Sequence, residues 1–61
     1  MTDAPTVLIV DDNEDLLETL SMILQRRGFE VDTAVDGLTA VDKFKEHHFD
    51  VTLMDIVSKA R

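Results

Sequence analysis

The run Val7-Leu8-Ile9-Val10 is apolar without a break and ends in Asp11-Asp12, and a second run, Val51-Thr52-Leu53-Met54, ends in Asp55. A strand with one wet face alternates apolar and polar residues. An unbroken run instead indicates a strand covered on both faces, as in a parallel sheet with helices on either side. In open sheets of that kind the ligand crevice lies beyond the carboxyl ends of the strands, which is where all three acids fall. Like charges held close together are costly unless a cation is shared among them, and an all-oxygen donor set suits a hard ion such as Mg2+. Asp11, Asp12 and Asp55 are therefore the candidate metal ligands.

The chain between these runs reads as two helices and one more strand. Residues 6–11 form β1. Asn13 can cap the helix that follows, α1 at 14–27: Glu14 and Asp15 suit its positive end, Arg26 and Arg27 its negative end, and Gly28 its termination. Leu16, Leu17, Leu20, Ile23 and Leu24 recur at helical spacing and are expected to lie on the sheet, leaving Glu14, Glu18, Ser21 and Gln25 to water. Residues 29–34 alternate, with Phe29, Val31 and Thr33 on one side, and are assigned to an edge strand, β2. The Asp36-Gly37 turn opens α2 at 38–47, whose Ala40, Val41 and Phe44 share a face. Residues 50–56 form β3.

The order β-α-β-α-β and right-handed crossovers then constrain the topology. An edge-like β2 on one side of a buried β1 puts β3 on the other side, giving the spatial order 2-1-3 with α1 and α2 on opposite faces. The winding reverses at β1, and a crevice opens at such a reversal, bordered here by Asp11, Asp12 and Asp55.

Composition narrows the function. A chain of 61 residues buries a small core, and with no cysteine it has neither disulfide nor thiolate metal site to reinforce it. The formal charge of −7 argues against nucleic acid or an anionic membrane as partners and favours basic docking surfaces. The start, Met1-Thr2-Asp3-Ala4-Pro5, lacks the features of a secretory leader, and no apolar run reaches membrane-spanning length, so a cytoplasmic location is expected.

Several motifs together resemble the receiver domain of bacterial two-component response regulators. They are Val7-Leu8-Ile9-Val10-Asp11-Asp12-Asn13, the Gly28-Phe29 helix end, the Asp36-Gly37 turn, and Phe49-Asp50-Val51-Thr52-Leu53-Met54-Asp55-Ile56. The likeness covers residues 6 to about 57. It implies a flavodoxin-like fold of which this chain supplies the β-α-β-α-β half, with Asp55 as phosphoacceptor rather than the centre of an enzyme. It further implies Asp12 as a direct Mg2+ ligand, Asp11 as holder of metal-bound water, the backbone carbonyl of Val57 as a further ligand, and a histidine kinase or phosphotransfer protein as partner. The sequence departs from the family after Asp55-Ile56-Val57, where Ser58-Lys59-Ala60-Arg61 stands in place of a continuation that begins with the usual Met-Pro pair. The Ser or Thr that follows a receiver's fourth strand, and the Lys that follows its fifth, have no counterparts here.

Plainer readings compete at single positions. Asp11-Asp12 could serve only to complement the start of α1, and Asp55 could be a solvated strand-end acid. His47 and His48 are neighbours on the chain and diverge too far to share a metal easily, so they are assigned to a solvated helix end. Met22 and Met54 are assigned to core filling. Two function classes follow: a phosphoacceptor signalling module, or an assembly fragment whose exposed β3 edge pairs with another copy as a homodimer or higher oligomer. A nucleotide-binding enzyme is disfavoured, because Asp-Asp-Asn stands where a phosphate-cradling loop carries glycines.

Overall fold

The computed structural model describes residues 4–54. These form β1 (Thr6–Val10), α1 (Glu14–Arg26), β2 (Glu30–Ala34), α2 (Gly37–Glu46) and β3 (Val51–Met54). The sheet is parallel with order β2-β1-β3, as the crossover argument requires. β1 ends one residue before Asp11, and the far end expected for β3, residues 55 and 56, lies outside the described residues.

β1 is central because its side chains bury on both faces. Leu8 and Val10 point to one side and pack with Ala34, Ala40 and Phe49 under α2. Val7 and Ile9 point to the other and pack with Leu17, Leu20, Leu24, Phe29 and Val31 under α1. The helices therefore cover opposite faces of the sheet.

Each helix begins on a side-chain cap. Asn13 accepts a hydrogen bond from the Leu16 N–H at 3.1 Å, and Asp36 accepts one from the Thr39 N–H at 2.8 Å, which satisfies amides that helix geometry leaves without partners. At the end of α1, the Gly28 N–H donates to Gln25 O and the Phe29 N–H to Leu24 O, each close to 3 Å. That paired return needs a left-handed residue, and Gly28 supplies it with φ +95°. Phe29 then joins Leu24 in the core on the α1 face.

The helix faces are narrower than their apolar spacing suggests. On α1, Leu17 is buried and Leu20 and Leu24 pack against the core, but Leu16 and Ile23 are exposed. On α2, Ala40 is buried, whereas Val41 is 50% exposed and Phe44 45%. Met22 and Met54, expected in the core, are also exposed. A three-stranded sheet is too narrow to cover every apolar position of the two helices laid across it. Only residues directly over β1 are enclosed. β2 and α2 are also tied by an ion pair, Lys43 Nζ to Asp32 Oδ1 at 2.6 Å. Partial burial raises the pKa of Asp32, but the Lys43 hydrogen bond, the Thr33 N–H and the nearby positive charge together hold it below its ordinary value.

Candidate functional site

The carboxyl end of β1 passes into the site without losing its pairing. Val10 is fully buried, and the next residue, Asp11, still donates its N–H to Ala34 O at 3.1 Å. Asp11 is thus held inside the fold with only 4% of its surface exposed, and it is the one buried charged residue among those described. Its Oδ1 accepts the Asn13 N–H at 2.9 Å. Asn13 in turn caps α1, so the carboxylate, the turn and the helix start are linked through one residue. Asp12, exposed, follows at the same strand end.

Burying a carboxylate at a strand end costs free energy that hydrogen bonds and a neighbouring cation offset. Asp11 and Asp12 are hard oxygen donors of the type Mg2+ takes. Among the described residues no group of three or more His, Cys, Asp or Glu could hold a metal. The expected third acid, Asp55, and the carbonyl ligand at Val57 lie outside the described residues. The strand leading to Asp55 is in place. β3 pairs with β1 in the register Val7↔Val51 to Val10↔Met54, and Asp55 follows Met54 in sequence as Asp11 follows Val10.

The opposite end of the sheet holds polar contacts that the sequence did not suggest. Thr6, which opens β1, and Asp50, which precedes β3, are joined through side chains and backbone; the Thr6 N–H donates to Asp50 Oδ2 at 2.9 Å. That bond, more than any other influence, holds the Asp50 carboxyl below its ordinary pKa, aided by the Thr6 hydroxyl and the nearby His48. The two histidines diverge: His47 meets the Phe49 ring edge-on at 6.2 Å, and His48 lies 3.8 Å from Asp50. A hollow of about 260 Å³ opens between them and β2, bordered by Glu30 and Asp32, away from Asp11 and Asp12. Among the described residues no helix is long and apolar enough to cross a membrane.

Comparison with known proteins agrees with this geometry. The sequence pattern of the response regulator receiver domain matches residues 7–57. Over 53 residues the chain is 45% identical to protein-glutamate methylesterase/protein-glutamine glutaminase 1 of Anaeromyxobacter dehalogenans, covering 87% of this chain and 15% of that protein. It is equally identical over the same length to the transcriptional regulatory protein PrrA of Mycobacterium tuberculosis, covering 23% of it. Among solved structures, the chemotaxis response regulator CheY4 of Vibrio cholerae superposes with a TM-score of 0.86 at 36% identity. That match covers 97% of this chain and 49% of CheY4. The chain thus spans about half of the solved relative and less than a quarter of these two curated ones. A sheet of order 2-1-3, a buried aspartate at the end of its central strand and a family match over residues 7–57 place this chain among the response regulator receiver domains, of which it is a part.

Proposed function

We propose that this chain carries the phosphoacceptor and Mg2+-binding portion of a receiver domain, which takes a phosphoryl group at Asp55 from a histidine kinase or phosphotransfer protein in the cytoplasm. The observation that carries this reading is Asp11, a buried carboxylate at the carboxyl end of the central strand, with Asp12 beside it. In the proposed step an Asp55 carboxylate oxygen attacks the donor phosphorus. An O–P bond forms, the donor's P–N bond breaks, and its electron pair remains on the imidazole nitrogen, which takes a proton from solvent. Asp11 and Asp12 would hold Mg2+ together with Asp55 and the Val57 carbonyl, and the ion, when bound, offsets charge on the transferring oxygens. The Asn13 N–H keeps the Asp11 carboxylate oriented while it does so.

Intact-mass analysis tests the reading. The chain, incubated with a small-molecule phosphodonor and MgCl2, is expected to gain one phosphoryl group that hydroxylamine removes, and to gain none when EDTA replaces MgCl2. A folded chain that stays unmodified with MgCl2 present would overturn it.

A second reading is favoured by one observation: Val51, Leu53 and Met54 of β3 are all exposed, Met54 by 59%, along a strand paired on one side only among the described residues. Such an edge is a template for another strand. Copies of this chain would then associate through β3, either edge to edge about a two-fold axis or by exchanging elements. The charge of −7 on each copy opposes this, so association should strengthen with salt. Light scattering is expected to show a dimer or larger species at tens of micromolar, and a folded monomer across that range would defeat the reading.

A further inference from the structure

We propose that Thr6 and Asp50 are positioning residues, which fix the register of β1 against β3 and thereby set where β3 ends relative to Asp11 and Asp12. The inference rests on the phosphoacceptor reading above. It starts from a weakness in the pairing: β1 and β3 share four register pairs, and the β3 side chains are too exposed to specify the register by burial. A slip of two residues would keep each side chain on its own face. It would also displace the strand end by about 6.6 Å, since a strand rises roughly 3.3 Å per residue. A metal site cannot absorb such a shift.

The contacts that oppose it cluster at the amino ends of the two strands. The Thr6 N–H donates to Asp50 Oδ2 at 2.9 Å, and the Thr6 hydroxyl donates to His48 O at 3.1 Å and approaches Asp50 Oδ2 at 3.3 Å. The Asp50 N–H in turn donates to Thr6 O at 2.9 Å and lies 3.2 Å from the Thr6 hydroxyl oxygen. Thr6 and Asp50 are 44 residues apart, the same offset that relates Val7 to Val51 and Val10 to Met54. It also relates Asp11 to Asp55 in the sequence. Because extended strands barely stretch, a clamp at residues 6 and 50 meters out equal lengths of β1 and β3 and keeps Val10 level with Met54. Slipping the register breaks every side-chain contact in the clamp at once.

The test compares four variants with the parent chain by titrating MgCl2 and following the backbone amide resonances of Asp11, Asp12 and Asn13. Val7–Val51 and Val10–Met54 interstrand NOEs report the register. Thr6→Val keeps the shape and the β-branch but loses the hydroxyl, whereas Thr6→Ser keeps the hydroxyl. Asp50→Ala loses the acceptor, whereas Asp50→Asn keeps an acceptor oxygen and loses only the charge. That charge should contribute little through space, since five residues of strand place it about 16 Å from the site, beyond a Debye length of roughly 8–10 Å. Thr6→Val and Asp50→Ala are expected to weaken Mg2+ binding about tenfold, a loss typical of groups that orient metal ligands, while the Ser and Asn variants stay within about twofold of the parent. A role in stability alone would leave the Mg2+ affinity of the folded molecules unchanged in all four. Folded Thr6→Val and Asp50→Ala chains that bind Mg2+ as the parent does would overturn the proposal, as would a Thr6→Ser chain as weak as Thr6→Val. If Asp50→Ala fails to fold, the two Thr6 variants decide. If the parent itself shows no Mg2+ response, the phosphoacceptor reading fails separately, and the NOEs decide the clamp: parent-like register in both Thr6→Val and Asp50→Ala rejects it.

Discussion

The Leu8→Ala chain is expected to lose about 2–5 kcal/mol of stability, a large share of the total. Leu8 has no exposed surface and lies at the middle of the central strand, against Val10, Ala34, Ala40 and Phe49. Removing a leucine from such a place costs about 2–5 kcal/mol, through lost transfer free energy and the cavity left behind. Domain stabilities of roughly 0.05–0.15 kcal/mol per residue give a chain of 61 residues about 3–9 kcal/mol in total. One side chain thus accounts for a large share of what holds the fold together. Leu38→Ala is the matched control, because Leu38 is 81% exposed and its truncation should change stability by less than about 0.5 kcal/mol. Urea titrations followed by circular dichroism compare the two. Equal midpoints would show that the β1 core is not where the stability resides.

Substitutions at the acids should separate the nucleophile from the metal site. Asp55→Asn is expected to abolish phosphoryl gain in the mass assay at any Mg2+ concentration, because an amide oxygen is a poor nucleophile toward phosphorus. Asp11→Asn should act by degree. It keeps an oxygen able to accept the Asn13 N–H, so the turn and the helix cap survive, but it removes a charge from the proposed metal site. Changes to groups that merely orient metal ligands cost 10–100-fold in affinity, so an acid of the site itself should cost at least about tenfold. More MgCl2 should therefore restore phosphorylation in Asp11→Asn and never in Asp55→Asn. Restoration in both, or in neither, would mean that these roles are wrongly divided.

The sheet was legible in the sequence because unbroken apolar runs and a fixed crossover hand leave little topological freedom. Val7 to Val10 show burial on both faces in the structure, and β2 lies at an edge, as its alternation implied. Asn13 was legible as a cap for a similar reason: its chemistry is local. The burial of Val41, Phe44, Ile23 and Met54 was overestimated. Periodicity reports which side of a helix or strand is apolar, but not how much neighbouring structure is there to cover it. The acids of β1 stand out as candidate site residues by their position at a strand end, where the structure places Asp11 in a buried setting. The pairing of Thr6 with Asp50 gave no signal. A threonine opening one strand and an aspartate preceding another are common, and only the register, which no local pattern encodes, makes them partners.

The placement of β1 between its two partners also governs the order in which the fold can be completed. Within this sheet β1 is synthesised before both of its neighbours, and its pairing with β3 joins residues 44 apart. Loops of that length close slowly relative to helix formation. A nascent chain therefore emerges from the ribosome with its most apolar segment unpaired on both sides. α1 can form early and shield one face, but the second edge of β1 waits until Met54 has been made. At roughly 5–20 residues per second that wait lasts a few seconds, during which the unpaired backbone edge of β1 is open to chaperones or to other chains.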